Sequence, residues 1–202
     1  MRHLLMLTLG TIFALTAAEP APAVAWMSWE GGVDVLGVTQ PGLAQPNVIL
    51  HVARMVHTPL GSAPSGIVFY QPDPAKAPVV AGFVCSDAAI GAYYGPNVFA
   101  GTPFAGLPVL SATIAVVNDG STARSRIEVG GHVFTVTLSN LAPATVVDRA
   151  PGAFPFRQMG VERAAATAVV TVDGQPVTII VPPADPVEGP RAVFASTGLY
   201  VR

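Results

Sequence analysis

Glycine and proline interrupt this chain so often that long helices are excluded over most of its length. The 202 residues include 20 Gly and 20 Pro, and beyond the amino-terminal segment nearly every apolar stretch meets one of them before three helical turns are complete. Proline removes a backbone donor and clashes with the preceding turn, and glycine weakens a helix. Short strands joined by turns are therefore the favoured local structure.

The amino-terminal segment is the exception, and it predicts export. A basic start, Met1-Arg2-His3, precedes an apolar run from Leu4 to Leu15 and the small residues Thr16-Ala17-Ala18, which is the pattern of a secretory signal. The apolar run is too short to span a bilayer. We therefore expect a signal peptide over 1–18, a Pro/Ala leader over 19–25, cleavage after Ala18 or Ala23, and a periplasmic or secreted protein.

The remaining sequence reads as a series of short strands. In Thr122 to Val129, polar and apolar residues alternate, as in a strand with one buried face. Asp173-Gly174 between two apolar runs suits a tight hairpin turn. The predicted strands are Asn47 to Val56, Gly66 to Tyr70, Val79 to Cys85, Val109 to Val117, Ser125 to Val129, His132 to Leu138, Ala168 to Val172, Pro176 to Val181 and Ala192 to Val201. We expect one all-β domain over 26–202, an antiparallel β-sandwich of immunoglobulin-like or jelly-roll-like type, with a closed β-barrel as the alternative.

Charge and cysteine content narrow the classes of partner. The 10 basic and 12 acidic side chains are scattered, which disfavours nucleic acid because phosphate binding needs a surplus of Lys and Arg on one face. Cys85 is the single cysteine, so the chain forms no intramolecular disulfide. We predict no nucleic-acid partner and no integral membrane span after removal of the signal.

Familiar catalytic patterns are missing from the sequence. His51 and His57 lie too far apart along an extended strand to bind one metal ion. The stretch around Ser62 lacks the Gly-x-Ser-x-Gly spacing of a nucleophile elbow, and there is no nucleotide-binding glycine motif. Glu30 and Asp34 are too widely spaced along a strand for a glycosidase pair. We therefore predict no catalytic residue, no metal site and no cofactor.

One uncharged stretch is rich in aromatic residues. Asp87 is the only charge between Lys76 and Asp119, and a run of Gly, Pro and aromatic residues follows it. Such a loop either covers one end of the sandwich or presents a contact surface. We predict that it binds a ligand through Asp87, Tyr93, Tyr94, Phe99 and Phe104. The expected partner is another protein, a second copy of the chain, or a small apolar or sugar ligand.

Three hypotheses of function follow. The first is an exported, non-enzymatic β-sandwich that works in binding or assembly through the aromatic loop. The second is an exported enzyme, an isomerase or hydrolase, whose pocket combines sequence-distant residues such as His51, His132 and Asp87. The third is an adhesin or matrix fibre subunit that accepts a strand at an unpaired sheet edge.

Overall fold

The computed structural model describes residues 24–152, 154–183, 189 and 191–202. The predicted signal peptide over 1–18 and most of the leader lie outside the described residues, so signal cleavage and export stay predictions. No helix in the described part of the chain is long and apolar enough to cross a membrane.

Strands dominate the described chain, as the density of glycine and proline predicts. They are β1 (Trp26–Gly37), β2 (Val48–Thr58), β3 (Gly61–Tyr70), β4 (Val80–Cys85), β5 (Val109–Asn118), β6 (Thr122–Val129), β7 (His132–Leu141), β8 (Thr145–Arg149), β9 (Arg157–Val172), β10 (Gln175–Val177) and β11 (Ala192–Val201). A short α-helix, α1 (Ala88–Tyr93), continues into a π-helix (Tyr94–Val98) between β4 and β5.

Nine of the strands form a closed ring. Neighbours pair in the order β9-β11-β1-β2-β3-β4-β5-β6-β7, and β7 pairs back onto β9. The strands β8 and β10 lie off this ring, each paired with β9. The all-β prediction is confirmed, and the closed pairing corresponds to the barrel alternative.

The interior of the ring is filled by the inward-facing residues of all nine strands. Leu50, Ile127, Phe134 and Leu138 are among the fully buried members of this cluster. Because side chains alternate along a strand, residues between these inward positions face the outside. On β1, Val33 and Val35 point inward and Asp34 points outward.

A second apolar cluster covers part of the outer face. It joins outward residues of β1 to β4 and β11 to α1, the π-helix and the aromatic segment near residue 156. Cys85 belongs to it and is buried with Phe83.

The aromatic stretch is a crossover connection, so its description as a loop is wrong. Strands β4 and β5 are parallel neighbours, and parallel strands require a connection that returns across a face of the sheet, commonly a helix. Asp87 begins α1 by accepting hydrogen bonds from the backbone N–H groups of Ala89 and Ile90, a standard N-cap arrangement. The crossover packs onto the sheet and thereby buries its aromatic residues.

The predicted tight turns are present. Asp173 and Gly174 both adopt positive φ, at 53° and 78°, as a two-residue turn of the primed type requires.

At the carboxyl end, the backbone of Arg202 exchanges two hydrogen bonds with that of Ala25, so the start of β1 and the end of β11 lie side by side.

Candidate active site

A cavity of about 170 Å³ lies on the outer face of the ring. Its base is formed by outward residues of β1, β2, β3, β9 and β11. Its cover comes from two aromatic segments, one around Phe99 and Phe104 and the other around Phe154 and Phe156. Most of the lining is apolar, but in a chain with 11% charged residues it also includes Asp34, His51, Arg149, Glu162 and Arg191.

Strand register brings Asp34 and His51 together. The two residues are direct partners across the antiparallel pair of β1 and β2, where facing side chains are close neighbours. The Asp34 Oδ2 to His51 Nδ1 distance is 3.0 Å. Nδ1–H therefore donates to the carboxylate, and this contact fixes the ring orientation. Within the described residues, His51 Nε2 makes no hydrogen bond.

The surroundings of His51 favour its protonated form. Burial lowers the pKa of the imidazole, but the charge of Asp34, its hydrogen bond and the charge of Glu162 outweigh burial and leave the pKa raised. A negative neighbour stabilises the imidazolium in this way. The pKa of His51 therefore lies above the ordinary histidine value near 6.5.

The second carboxylate, Glu162, is held by Arg149. Two parallel hydrogen bonds of 2.7 Å join the guanidinium to the two carboxylate oxygens, the bidentate geometry that makes such pairs strong. Gln158 Nε2 donates to Glu162 Oε1 at 2.9 Å. The Glu162 side chain is only 9% exposed. With both oxygens occupied, Glu162 supplies charge to the cavity and is not available as a base.

The hydroxyl of Tyr200 is the other polar group at this end of the cavity. Burial together with the negative charges of Asp34 and Glu162 raises the pKa of Tyr200, against a smaller opposing effect of Arg149. The hydroxyl therefore remains protonated at neutral pH. It makes no hydrogen bond among the described residues. The His51 and Tyr200 rings are nearly parallel, at 21°, with centroids 6.5 Å apart.

Trp29 holds these two rings in place. Its indole packs edge-on against His51 at 5.9 Å and against Tyr200 at 4.7 Å between centroids. Gly198 makes room for it, because a Cβ there would lie 2.0 Å from Trp29 Cζ2. The rings that carry the polar atoms are thus fixed by packing as well as by Asp34.

The cover of the cavity is a series of nearly parallel rings. Phe104 and Phe154 differ by 18° in ring plane, Phe154 and Phe156 by 10°, and Phe156 and Tyr200 by 29°. Offset ring pairs at such spacings are favourable. Together with Phe99 they make this side of the cavity aromatic.

The five residues predicted to bind a ligand take different positions. Phe99 and Phe104 line the cavity, so ligand binding by these two stays a prediction. Tyr93 and Tyr94 belong to the crossover and are buried. The Tyr93 hydroxyl oxygen accepts a hydrogen bond from the Trp26 backbone N–H. The Tyr94 hydroxyl lies 2.5 Å from Ser65 Oγ. Asp87 is exposed at the start of α1.

The residues named for the enzyme hypothesis are not all brought together. His51 reaches the cavity, but His132 pairs with Asp173 at 2.8 Å beside the β9–β10 turn, and Asp87 caps α1. Of the two carboxylates considered on β1, Asp34 lies in the cavity, whereas Glu30 pairs with Arg54 on the exposed surface. The described residues contain no group of three side chains placed to hold a metal ion.

Sequence patterns did not identify Arg149, Glu162 or Tyr200 as residues of the site. One signal was available: ionisable residues are rare in this chain, and Asp34, His51 and Glu162 each stand within a strand at positions that share a face with apolar residues. A polar residue on a face that is otherwise buried needs a partner. The identity of that partner depends on the pairing of β1 with β2 and of β8 with β9, which single-strand patterns do not reveal.

No family model matches the sequence, and no curated protein matches it. Among solved structures, the acetoacetate decarboxylase of Legionella pneumophila is similar with a TM-score of 0.36 and 10% identity over 94% of this chain and 90% of that one. A second acetoacetate decarboxylase structure has a TM-score of 0.33 and 12% identity over 88% and 84% of the two chains. The activity is therefore inferred from the geometry of this chain's own residues.

The hypothesis of a non-enzymatic protein that binds through an exposed aromatic loop is wrong. The supposed loop is a crossover whose Tyr93, Tyr94 and Phe99 are buried. The cavity combines ionisable side chains that are distant in sequence, as the enzyme alternative requires.

Proposed function

We propose that this chain is an enzyme that catalyses proton transfer, an isomerase, with His51 as the general base. The observation that carries the proposal is the 3.0 Å contact between Asp34 and His51 at the wall of a mostly apolar cavity. In the neutral imidazole Nδ1–H is committed to Asp34, so Nε2 is the nitrogen with a free lone pair. Asp34 orients the ring and stabilises the imidazolium after proton uptake, the role that a carboxylate takes beside a catalytic histidine.

The lining favours proton transfer over covalent chemistry. None of the described residues that line the cavity is a serine, threonine, cysteine or lysine. Lys76, the single lysine, is exposed and paired with Asp73, so the cavity offers no amine for a Schiff base. Among the hydrolase and isomerase alternatives, the acid–base arrangement supports isomerisation most directly, because a proton removed by His51 is returned to the same substrate.

The size of the cavity limits the substrate to a small molecule. An apolar cavity of about 150 Å³ in another protein accepts benzene, and this one is of similar size. The aromatic lining favours a planar, apolar body that can pack against its rings.

The proposal is tested with 5-nitrobenzisoxazole, a flat and neutral probe that opens when a base removes its ring C–H proton. The released nitrophenolate is measured by absorbance. We expect the wild-type chain to accelerate this reaction, with a rate that rises with pH as His51 loses its proton. His51→Gln should lower the rate by about 100-fold or more, the usual contribution of a general base.

His132→Gln is the matched control, because His132 also pairs with an aspartate but lies away from the cavity. It should leave the rate unchanged. If His51→Gln folds normally and keeps the wild-type rate, or if the wild-type chain gives no acceleration over the pH range, His51 is not the base and the proposal is wrong.

A further inference from the structure

The Tyr200 hydroxyl is a donor of the proposed active site that makes no hydrogen bond to the described residues. It lies near enough to the charges of Asp34 and Glu162 for both to act on it, yet it donates a hydrogen bond to neither within the described residues. Asp34 Oδ2 is engaged by His51, and both oxygens of Glu162 are engaged by Arg149. A half-buried hydroxyl that bonds none of its polar neighbours is available for an acceptor on a ligand.

We propose that the substrate is a small carbonyl compound with a flat apolar body, whose oxygen accepts a hydrogen bond from Tyr200 while His51 removes a proton from the adjacent carbon. This inference rests on the proposed function and adds the class of substrate. It is carried by the rings of the base and the neutral donor, which are nearly parallel with centroids 6.5 Å apart and which both line the aromatic cavity.

The proposed reaction needs only the chain and one substrate, with no further reactant. His51 Nε2 takes the proton from the carbon next to the carbonyl, and the electrons of that C–H bond form a carbon–carbon double bond. The carbonyl π electrons move to oxygen, where the developing negative charge is stabilised by the hydrogen bond from Tyr200. The His51 imidazolium then returns the proton to carbon, either at the original position or, in a conjugated substrate, at a more distant one.

The surroundings of Tyr200 suit a donor that must stay protonated. Its raised pKa prevents loss of the proton near neutral pH, and the Trp29 and Phe156 rings hold its own ring at centroid distances of 4.7 and 4.1 Å. A donor fixed before the reaction stabilises developing charge without reorganisation.

The test uses 2-indanone, a flat ketone with exchangeable hydrogens beside its carbonyl. Exchange of these hydrogens in D₂O is followed by proton NMR with the full chain. We expect the wild-type chain to accelerate exchange and Tyr200→Phe to reduce that acceleration by about 100-fold, as for the loss of one oxyanion donor. Tyr70→Phe is the matched control, because Tyr70 lies inside the ring and does not line the cavity.

The outcomes separate the inference from the proposed function. If 2-indanone is not exchanged, or if Tyr200→Phe exchanges it as fast as wild type, while the benzisoxazole reaction still depends on His51, the carbonyl assignment is wrong and the base assignment stands. If His51→Gln retains full activity on both probes, the proposed function itself fails. Folding of Tyr200→Phe is checked by its unfolding midpoint, which should stay close to wild type because the hydroxyl makes no hydrogen bond within the described residues.

Discussion

At the scale of single residues, the proposed activity depends on the partner that each polar group has. Asp34 and Glu162 are both carboxylates at one cavity, but one is bound to a titratable imidazole and the other to a guanidinium that keeps its charge. The two therefore differ in role: Asp34 raises the pKa of the His51 imidazole, whereas Glu162 is held by the Arg149 guanidinium.

Asp34→Asn should lower the pKa of His51. Both the charge and the hydrogen bond that raise this pKa come chiefly from Asp34, and burial, which opposes them, remains in the variant. The shift is measured by NMR titration of the His51 ring, with Asp173→Asn as the control because Asp173 pairs with His132 at another site. An unchanged His51 titration in Asp34→Asn would show that another group sets its pKa.

The same contact links stability to pH. Because the folded-state pKa of His51 is raised above its ordinary value, the interaction stabilises the fold fully below about pH 6.5 and is lost as pH rises through the folded-state pKa. A base that must be neutral to react is therefore most active where this stabilising contribution has declined.

At the scale of secondary-structure elements, the ion pair of Arg149 and Glu162 attaches an edge strand to the ring. Strand β8 pairs only with β9 and exposes most of its residues, Val146 by 80%. Apart from its backbone ladder, β8 has two arginine–carboxylate contacts to β9. One is buried, Arg149 with Glu162, and the other, Arg157 with Asp148, is exposed.

Arg149→Met and Glu162→Met should each lower the free energy of unfolding by about 3 kcal/mol, because each leaves a buried charge without its partner. The double variant should lose much less than the sum, since it leaves neither charge unpaired. Urea unfolding measures all three. Arg157→Met is the matched control on the same strand pair and should have a far smaller effect, because exposed pairs contribute little. Equal losses for Arg149→Met and Arg157→Met would contradict this account.

Several elements with a buried face were predictable from sequence, but β1, which also turns Val33 and Val35 to the interior, is not among the predicted strands. Alternation in β6 and β7 reflects one face turned to the interior, and β11 was located at its observed bounds of Ala192 and Val201. Strand β8 lacks such a face and so gives no alternating signal. The crossover was missed because Gly91, Gly95 and Pro96 are unfavourable in helices, while its burial, which overrides that preference, depends on tertiary contacts.

At the scale of the whole molecule, closure of the ring is the feature that sequence patterns could not supply. It depends on Phe134 to Leu141 pairing with residues of β9 about thirty positions further along the chain, and on a parallel pair that needs the crossover. The site has the same dependence, since Asp34, His51, Glu162 and Tyr200 lie on four different strands. The residue types alone do not show that these four polar side chains lie together. The strand register brings them to one site.

Export is a prediction about the full chain, because it depends on the amino-terminal segment over 1–18. Expressed in full in a bacterial host, the protein should be recovered from the periplasm with a mass that corresponds to a first residue of Glu19, or of Val24 if the second site is used. Leu9→Arg, which places a charge in the apolar run, should leave the uncleaved chain in the cytoplasm. Recovery of the uncleaved wild-type chain from the cytoplasm would contradict the signal assignment.

The hydrogen bonds between Ala25 and Arg202 have a practical consequence for protein engineering. Because Ala25 and Arg202 meet in one ladder, a short peptide could join them, and new ends could be opened at the exposed Asp119–Ser121 turn between β5 and β6 without cutting a strand of the ring. None of the three residues of this turn lines the cavity, so fusion partners or surface tethers attached to the new ends would be joined outside the lining of the reacting groups.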